Sequence, residues 1–133
     1  MSKIVVLNVD DDDVTLMLHK MLVKALGFCD EVENFISGES ALEYLQSASF
    51  SAESNYIILL DINMPGMSGW DFLDKIDHID GLKAYVALVT SSIDSRDQEK
   101  AKNYKKVIDF FIKPLHKNHL SSFFQKVKLL LEQ

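Results

Sequence analysis

Short apolar runs alternate with helical repeats along the chain. The runs are short enough for strands and comprise residues 3–9, 31–35, 56–60, 85–89 and 107–112. The first, third and fourth of these runs are almost continuously apolar. Such runs are typical of strands that are covered on both faces, as in parallel sheets. We therefore predict five strands in a sheet with helices on both sides.

Between these runs the apolar positions recur with the period of an α-helix. Residues 40–46, 68–77 and 94–105 predict three helices, and Asp94 is a suitable cap for the third. The first helix ends at Gly27 and carries a stripe that we expect to face the core, formed by Val14, Met17, Leu18, Met21, Leu22 and Ala25. The last helix carries a stronger stripe of the same kind, formed by Leu120, Phe123, Phe124, Val127, Leu130 and Leu131. Five strand–helix repeats predict an α/β fold in three layers.

Polar residues with useful chemistry follow four of the five predicted strands. Four aspartates at residues 10–13 follow the first strand and Asp61 follows the third. Thr90 ends the fourth strand and Lys113 follows the fifth. Ligands of open parallel sheets bind at the carboxyl ends of the strands, so we expect these side chains to meet at one edge.

The residue types at this edge indicate phosphoryl transfer. Clustered carboxylates repel one another and raise their own pKa values unless a cation neutralises them. Oxygen ligands suit Mg²⁺, and the sequence has no cluster of Cys and His for zinc. The hydroxyl of Thr90 and the ammonium of Lys113 are anion-binding groups. An aspartate in such company can be the nucleophile that forms an acyl phosphate.

Composition narrows the classes of protein. The chain has 133 residues, 47% hydrophobic and 26% charged, which suits one soluble globular domain. A net charge of −6 argues against a nucleic-acid partner, and we interpret the lysines at 100, 102, 105 and 106 as a solvated helix face. The single cysteine, Cys29, excludes an intrachain disulfide. No apolar run has the length of a membrane span or a secretory signal, so we expect a cytoplasmic protein.

Four stretches of the sequence match a known family. At residues 9–12, 59–69, 89–91 and 111–114 the chain resembles bacterial response-regulator receiver domains, and the resemblance covers nearly its whole length. The second stretch, with Asp61 and Met64-Pro65-Gly66, is the most specific. The resemblance implies a flavodoxin-like receiver fold, which is a three-layer αβα sandwich. Its five-stranded parallel sheet has the order 2-1-3-4-5, an order known for the chemotaxis member of this family.

The resemblance also implies roles for individual residues. Asp61 would be the phosphoacceptor, with Thr90 bound to the phosphoryl group and Lys113 paired with its charge. Four groups would hold Mg²⁺, namely the carboxylates of Asp10, Asp11 and Asp61 and the backbone carbonyl of Asn63. Phe110, three residues before Lys113, matches the aromatic residue that turns inward when the threonine moves.

The implied function is a phosphorylation-dependent switch of a two-component system or phosphorelay. The phosphodonor would be a histidine kinase or a histidine phosphotransfer protein, and output would pass by contact with a downstream protein. We expect residues 1–133 to form one receiver domain with no output domain, and to be a monomer or a weak phosphorylation-dependent dimer. Self-phosphorylation and self-dephosphorylation with Mg²⁺ are expected, without turnover of a separate substrate. We expect neither nucleic acid nor membrane as a partner.

The chain departs from the family pattern before and within the fifth strand. Where a small Gly-Ala type turn is usual, the sequence has Tyr104-Lys105-Lys106. Phe110 lacks the hydroxyl of the tyrosine that is common at its position. The resemblance implies that output uses the surface around the fourth helix, fifth strand and fifth helix, and both departures fall there.

Two alternatives stay open at this point. The first is a haloacid-dehalogenase-type phosphatase with Asp10 as nucleophile, since residues 10–14 fit its first motif and Thr90 and Lys113 fit the next two. That class needs a further acidic pair after the lysine, whereas Glu132 is the only acidic residue between positions 115 and 133. The phosphatase alternative also leaves Asp61 without a role. The second is a receiver-like interaction module that is not phosphorylated. Such modules usually lack one of the acids or the lysine, all of which are present here.

Overall fold

A computed structural model, which describes residues 2–133, has a five-stranded parallel sheet in the order β2-β1-β3-β4-β5. The strands are β1 (Ile4–Val9), β2 (Glu31–Phe35), β3 (Asn55–Leu60), β4 (Lys83–Thr90) and β5 (Val107–Ile112). The helices are α1 (Asp13–Leu26), α2 (Gly38–Leu45), α3 (Gly69–Ile76), α4 (Ser95–Ala101) and α5 (Lys117–Leu131). This confirms the α/β class, the three-layer αβα sandwich and the strand order 2-1-3-4-5.

The sheet separates two apolar cores. All six residues of β3, the central strand, are buried. Since successive side chains of a strand point to opposite faces, Tyr56, Ile58 and Leu60 pack with α2 and α3, while Ile57 and Leu59 pack with α1 and α5. A strand buried on both faces is apolar at nearly every position, as β3 is from Tyr56 to Leu60, which is why it was recognisable from sequence.

The apolar stripe of α5 was predicted correctly, but most of the predicted stripe of α1 was wrong. Of its six members, Leu22 packs against the core and Ala25 is exposed. On α5, the side chains of Leu120, Phe123, Phe124 and Val127 are buried. On α1, the expected inward residues Val14, Met17, Leu18 and Met21 are 58, 54, 51 and 61% exposed.

The inner face of α1 consists instead of Leu16, His19 and Val23. Nine of the fourteen residues of this helix are apolar, so periodicity permits two apolar faces. Because the buried face contains a histidine, His19, the exposed face looked like the better candidate for the core. The outer side therefore leaves an apolar surface uncovered by the rest of the described chain. We call Val14, Met17, Leu18 and Met21 the outer face of α1.

Several helix ends are set by capping residues that can be recognised in the sequence. Asp12 caps α1, its carboxylate accepting from the backbone nitrogen of Val14 at 3.1 Å. Gly27 ends that helix at φ 64°, a conformation that glycine adopts without strain. Asp94 caps α4 as predicted. However, α4 ends at Ala101 and not near residue 105, because residues 102–104 turn back and Tyr104 packs against the core.

Among residues 2–133 no helix combines the length and the apolar character that crossing a membrane requires.

Candidate functional site

Asp10, Asp61 and Lys113 each lie one position beyond a strand, where ladder hydrogen bonds still hold the backbone. The backbone nitrogen of Asp10 donates to the last residue of β2 at 3.1 Å. That of Asp61 donates to the last residue of β1 at 3.0 Å, and that of Lys113 donates to the carbonyl of Thr90 at 2.7 Å. The central sheet therefore fixes these residues at its carboxyl edge before any side chain contributes.

The side chains of three of these residues form a partly buried ion triad. The ammonium of Lys113 donates to Asp10 Oδ2 at 2.7 Å and to Asp61 Oδ2 at 3.2 Å. The side chains of Asp10 and Asp61 are 4 and 7% exposed, and that of Lys113 is 21% exposed. Buried carboxylates need such a partner, because removal of their hydration is otherwise unfavourable.

Asp11 adds a third carboxylate to the cluster. Oxygens of Asp10, Asp11 and Asp61 all lie within 4.8 Å of one another, and Asp11 is the exposed member. Asp12 is occupied differently, since its two carboxylate oxygens accept from the backbone nitrogen of Val14 and the hydroxyl of Thr15. Three carboxylates against one lysine leave this edge with an excess of negative charge.

The loop after β3 holds Asp61 in place. Asp61 Oδ1 accepts from the backbone nitrogen of Asn63 at 3.3 Å, and the carbonyl of Ile62 accepts from the backbone nitrogen of Gly69 at 2.8 Å. Ile62 and Met64 are buried in the core beside α2 and α3. The loop is thus anchored from below, while Asn63 itself is exposed next to the carboxylate.

Thr90 lies beside the ion triad at the end of β4, and Phe110 lies on the neighbouring strand β5. Thr90 is fully buried at the end of β4, and its hydroxyl oxygen accepts from the backbone nitrogen of Ser92 at 3.2 Å. Phe110, on β5, is half-buried and packs against the core under α2, α3 and α4. The structure therefore places Thr90 at the same edge as Asp61 and Lys113, with Phe110 further back on the sheet.

Burial and charge shift two pKa values at this edge. Burial raises the pKa of Asp61, and the negative charge of Asp10 adds to the effect, although Lys113 opposes it. Burial works against the charge of Lys113, but its hydrogen bond to Asp10 and the two carboxylate charges raise its pKa overall. Ionised Asp61 is therefore under electrostatic stress, as expected for a carboxylate that is to receive a cation or react.

His19 was missed as a member of this neighbourhood. His19 is buried on the inner face of α1, and burial lowers its pKa. It lines a cavity of about 290 Å³ together with Leu18, Lys113, Pro114 and Leu115. Its spacing from Leu16 and Val23 was the signal that would have placed it there.

The raised pKa of Asp61 predicts that Asp61→Asn stabilises the metal-free protein. A carboxyl whose pKa is higher in the folded state binds more protons there, so its ionisation disfavours folding at neutral pH. This penalty is absent below the ordinary pKa of 3.8 and complete above the folded value. We expect urea unfolding in EDTA to show a higher free energy of unfolding for the variant at pH 7, and no advantage near pH 3. Asp11→Asn, at the exposed carboxylate, is the control and should change stability less.

Taken together, a doubly wound parallel sheet with an acidic cluster, a hydroxyl and a lysine at its carboxyl edge is an arrangement suited to phosphoryl transfer. The chain belongs to the response regulator receiver domain family, whose model matches residues 6–125. Receiver domains of response regulators are phosphorylation-dependent signalling switches. This family assignment favours neither the haloacid-dehalogenase-type phosphatase nor the unphosphorylated module.

Known relatives support the same assignment over most of the chain. The chain is 30% identical to the chemotaxis protein CheY of Pseudomonas aeruginosa over 122 residues, which cover 92% of this chain and 94% of that protein. It is 27% identical over 125 residues to the probable methanogenesis regulatory protein FilR2 of Methanothrix harundinacea, covering 93% and 81% of the two chains.

A solved structure agrees with this assignment. The two-component response regulator of Cytophaga hutchinsonii superposes with a TM-score of 0.84 at 33% identity, covering 96% of this chain and 98% of that one. The CheY4 structure of Vibrio cholerae, at 24% identity and a TM-score of 0.78, shares the fold over 95% and 99% of the two chains.

Proposed function

We propose that Asp61 is the phosphoacceptor of this receiver domain. The observation that carries the proposal is the meeting of Asp61 with Asp10, Asp11 and Lys113 at one edge of the sheet. The phosphodonor is a phosphohistidine of a histidine kinase or a phosphotransfer protein. A carboxylate oxygen of Asp61 bonds to phosphorus while the bond between phosphorus and the imidazole nitrogen breaks. The imidazole leaves with the electron pair.

Lys113 and Thr90 bind the negatively charged phosphoryl group. The ammonium of Lys113 already lies 3.2 Å from Asp61 Oδ2, so it remains close to the phosphoryl oxygens once the acyl phosphate forms. The hydroxyl of Thr90 is buried at the same edge, where its oxygen accepts from Ser92 and its proton has no acceptor among residues 2–133. Both groups lose little freedom on binding, because the sheet has already fixed their backbones.

The carboxylates of Asp10, Asp11 and Asp61 and the backbone carbonyl of Asn63 are the groups that would hold Mg²⁺. The donor set fits this cation, since it consists of hard oxygens and carries an excess of negative charge. Bound Mg²⁺ supplies positive charge to the phosphoryl oxygens. Asp10 and Asp61 are buried and anchored by backbone hydrogen bonds, so they hold their oxygens in place without the cation.

Removal of the metal is expected to abolish labelling. With acetyl phosphate as donor, the chain should gain one phosphoryl group in Mg²⁺ and less than about a tenth of that in EDTA. Loss of a residue that only supports a metal ligand already costs about 10- to 100-fold in activity, so removal of the metal should cost at least as much. Asp10→Asn should need a higher Mg²⁺ concentration for the same labelling. Intact-protein mass spectrometry gives both results. Undiminished labelling in EDTA contradicts the metal role, and loss of the label with time in Mg²⁺ measures the self-dephosphorylation that we propose.

Output passes through the surface around Phe110 on β5, the strand next to Thr90. Thr90 lies one strand from Phe110, and movement of the threonine towards the phosphoryl group would free space for the phenyl ring. Since Phe110 has no hydroxyl, the ring can respond only to packing and not to a new hydrogen bond. A change of packing at β5 would then alter the surface that a downstream protein contacts.

The outer face of α1 is the docking surface for the phosphodonor. One member of this face, Leu18, also lines the cavity between α1 and residues 113–115, which contains the lysine of the site itself. Ile36, 61% exposed, extends the patch and lines a second cavity of about 370 Å³ with Met17 and Met21. A partner seated on this surface would lie beside Lys113, whose ammonium is 3.2 Å from Asp61 Oδ2, as a phosphodonor requires. Exposed apolar patches of this kind mark protein interfaces.

Substitution of this patch is expected to separate docking from chemistry. Met17→Gln combined with Met21→Gln should slow phosphotransfer from the cognate kinase at least about tenfold, because buried apolar anchors dominate interface energies. Labelling by acetyl phosphate should not change. Leu129→Gln, at an equally exposed leucine of α5, is the matched control and should leave both rates unaltered. Equal kinase rates for the double variant and the control contradict this docking assignment.

A further inference from the structure

Helix α4 has little hold on the core along its length. Of its seven residues, all of which the structure describes, only Ala101 is buried. Helices with so little buried apolar surface belong to the least stable parts of a fold. The position of α4 therefore depends mainly on what holds its two ends.

The first end of α4 is tied to the proposed phosphoryl site. The backbone nitrogen of Ser92 donates to the hydroxyl oxygen of Thr90 at 3.2 Å. The hydroxyl of Ser92 in turn donates to Asp97 Oδ2, in the first turn of α4, at 2.7 Å. Any movement of Thr90 is thus passed to the start of this helix.

The second end of α4 is tied to α3 by side chains that the family pattern did not lead us to expect. The rings of Trp70 and Tyr104 stack with centroids 5.5 Å apart, and the ammonium of Lys100 lies 4.8 Å from the Trp70 ring centroid. Lys106 donates to Asp77 Oδ1 at 3.2 Å. We call these five residues the α3–α4 clasp.

We propose that the α3–α4 clasp holds α4 in the position of the unphosphorylated protein and so weakens binding of the phosphoryl group. The proposal rests on the function proposed above. A phosphoryl group that draws in Thr90 pulls on the start of α4, while the clasp retains its end. Contacts that stabilise only the unliganded arrangement must lower the affinity for the ligand that disfavours it, and the effect is reciprocal.

Two of the residues that depart from the family pattern, Tyr104 and Lys106, make contacts with α3 and its end. A small residue in this turn offers no ring to Trp70, whereas Tyr104 provides a stacking surface and Lys106 reaches Asp77. Lysines 100 and 106, which we had interpreted as part of a solvated face, contribute specific contacts instead. Lys102 does not belong to the clasp, since it pairs with Glu99 on its own helix.

The test uses beryllofluoride with Mg²⁺ on the full chain, because this anion complex imitates the phosphoryl group. Trp70 is the only tryptophan of the sequence, so the tryptophan fluorescence comes from a member of the clasp. We expect saturation with beryllofluoride to change that fluorescence. Calorimetric titration should show binding about two- to fivefold tighter for Lys100→Gln, the range that loss of one such cation–π contact allows. Tyr104→Leu should act in the same direction.

Lys102→Gln is the matched control and should bind beryllofluoride as the unaltered chain does. Lys100 is exposed, so its variant is not expected to disturb folding. Unaltered affinity in both Lys100→Gln and Tyr104→Leu overturns the proposal, and so does a Trp70 signal that stays constant at saturation. If the unaltered chain binds no beryllofluoride at all, the proposed function fails and the clasp proposal fails with it. Normal binding without an effect of the clasp variants overturns the clasp alone.

Discussion

Replacing Asp61 with asparagine is expected to reduce phosphorylation of the chain below about one hundredth of the unaltered rate, as loss of a nucleophile does. The amide cannot form the acyl phosphate, and the neighbouring carboxylate of Asp10 is engaged by Lys113 at 2.7 Å. Both a histidine kinase and acetyl phosphate should show the loss, because it lies in the chemistry and not in docking.

Asp80→Asn provides the matched control for this variant, since it removes an exposed aspartate outside the site. It should be labelled at the unaltered rate. Urea unfolding of Asp61→Asn would show whether the variant is folded, and we expect it to be at least as stable as the parent. A folded Asp61→Asn protein that still takes up phosphate would mean that another residue is the acceptor.

Replacing Gly69 with alanine should produce the largest loss of stability among the substitutions considered. A Cβ at this position would lie 2.6 Å from the carbonyl oxygen of Asp61 and 2.8 Å from the Cα of Ile62. Both are backbone atoms that cannot rotate away, so the loop after β3 must move. Overpacking of this kind costs about 3 kcal/mol, and in a domain of this size it should lower Tm by roughly 10 °C.

Gly81→Ala separates this close approach from the general effect of losing a glycine. Gly81 has φ 77°, and a Cβ there would lie 3.3 Å from the side chain of Ala52. It should cost only about 1–2 kcal/mol, the penalty of a left-handed conformation. Because the Gly69 variant also displaces Asp61, it should be phosphorylated more slowly even at temperatures where it is folded. Equal stability of the two variants would show that the loop yields easily.

The sheet could be predicted because strands that are buried on both faces appear in the sequence as short, continuous apolar runs. The central strands need apolar side chains at successive positions, and β2 and β5 matched their predicted bounds, residues 31–35 and 107–112. The first strand begins one residue later than expected, at Ile4. β4 begins earlier, at Lys83, because an exposed lysine at the start of a strand looks like part of a loop.

The meeting of the site residues could be predicted from topology alone. Asp10, Asp61 and Lys113 each follow a parallel strand, so the fold brings them to one edge whatever their side chains do. The partners within the cluster could not be predicted in this way. That Asp12 caps α1 while Asp11 joins the other acids depends on the turn geometry of four successive aspartates.

Surfaces between elements were the least predictable part. Periodicity gave α1 two apolar faces and could not say which one the sheet covers, since the covered one contains His19. The stacking of Trp70 on Tyr104 joins residues far apart in the sequence, and neither residue signals the other. Contacts of this kind depend on how elements pack, which composition and spacing do not encode.

The most direct test of the proposed switch is to locate the acyl phosphate. The chain is labelled by acetyl phosphate in Mg²⁺ and reduced with borohydride, which converts a phosphorylated aspartate into homoserine. Peptide mass spectrometry then identifies the altered residue. We predict homoserine at position 61 and unmodified aspartates at positions 10–13. Homoserine at position 10 with Asp61 intact would contradict the account and would support the phosphatase alternative.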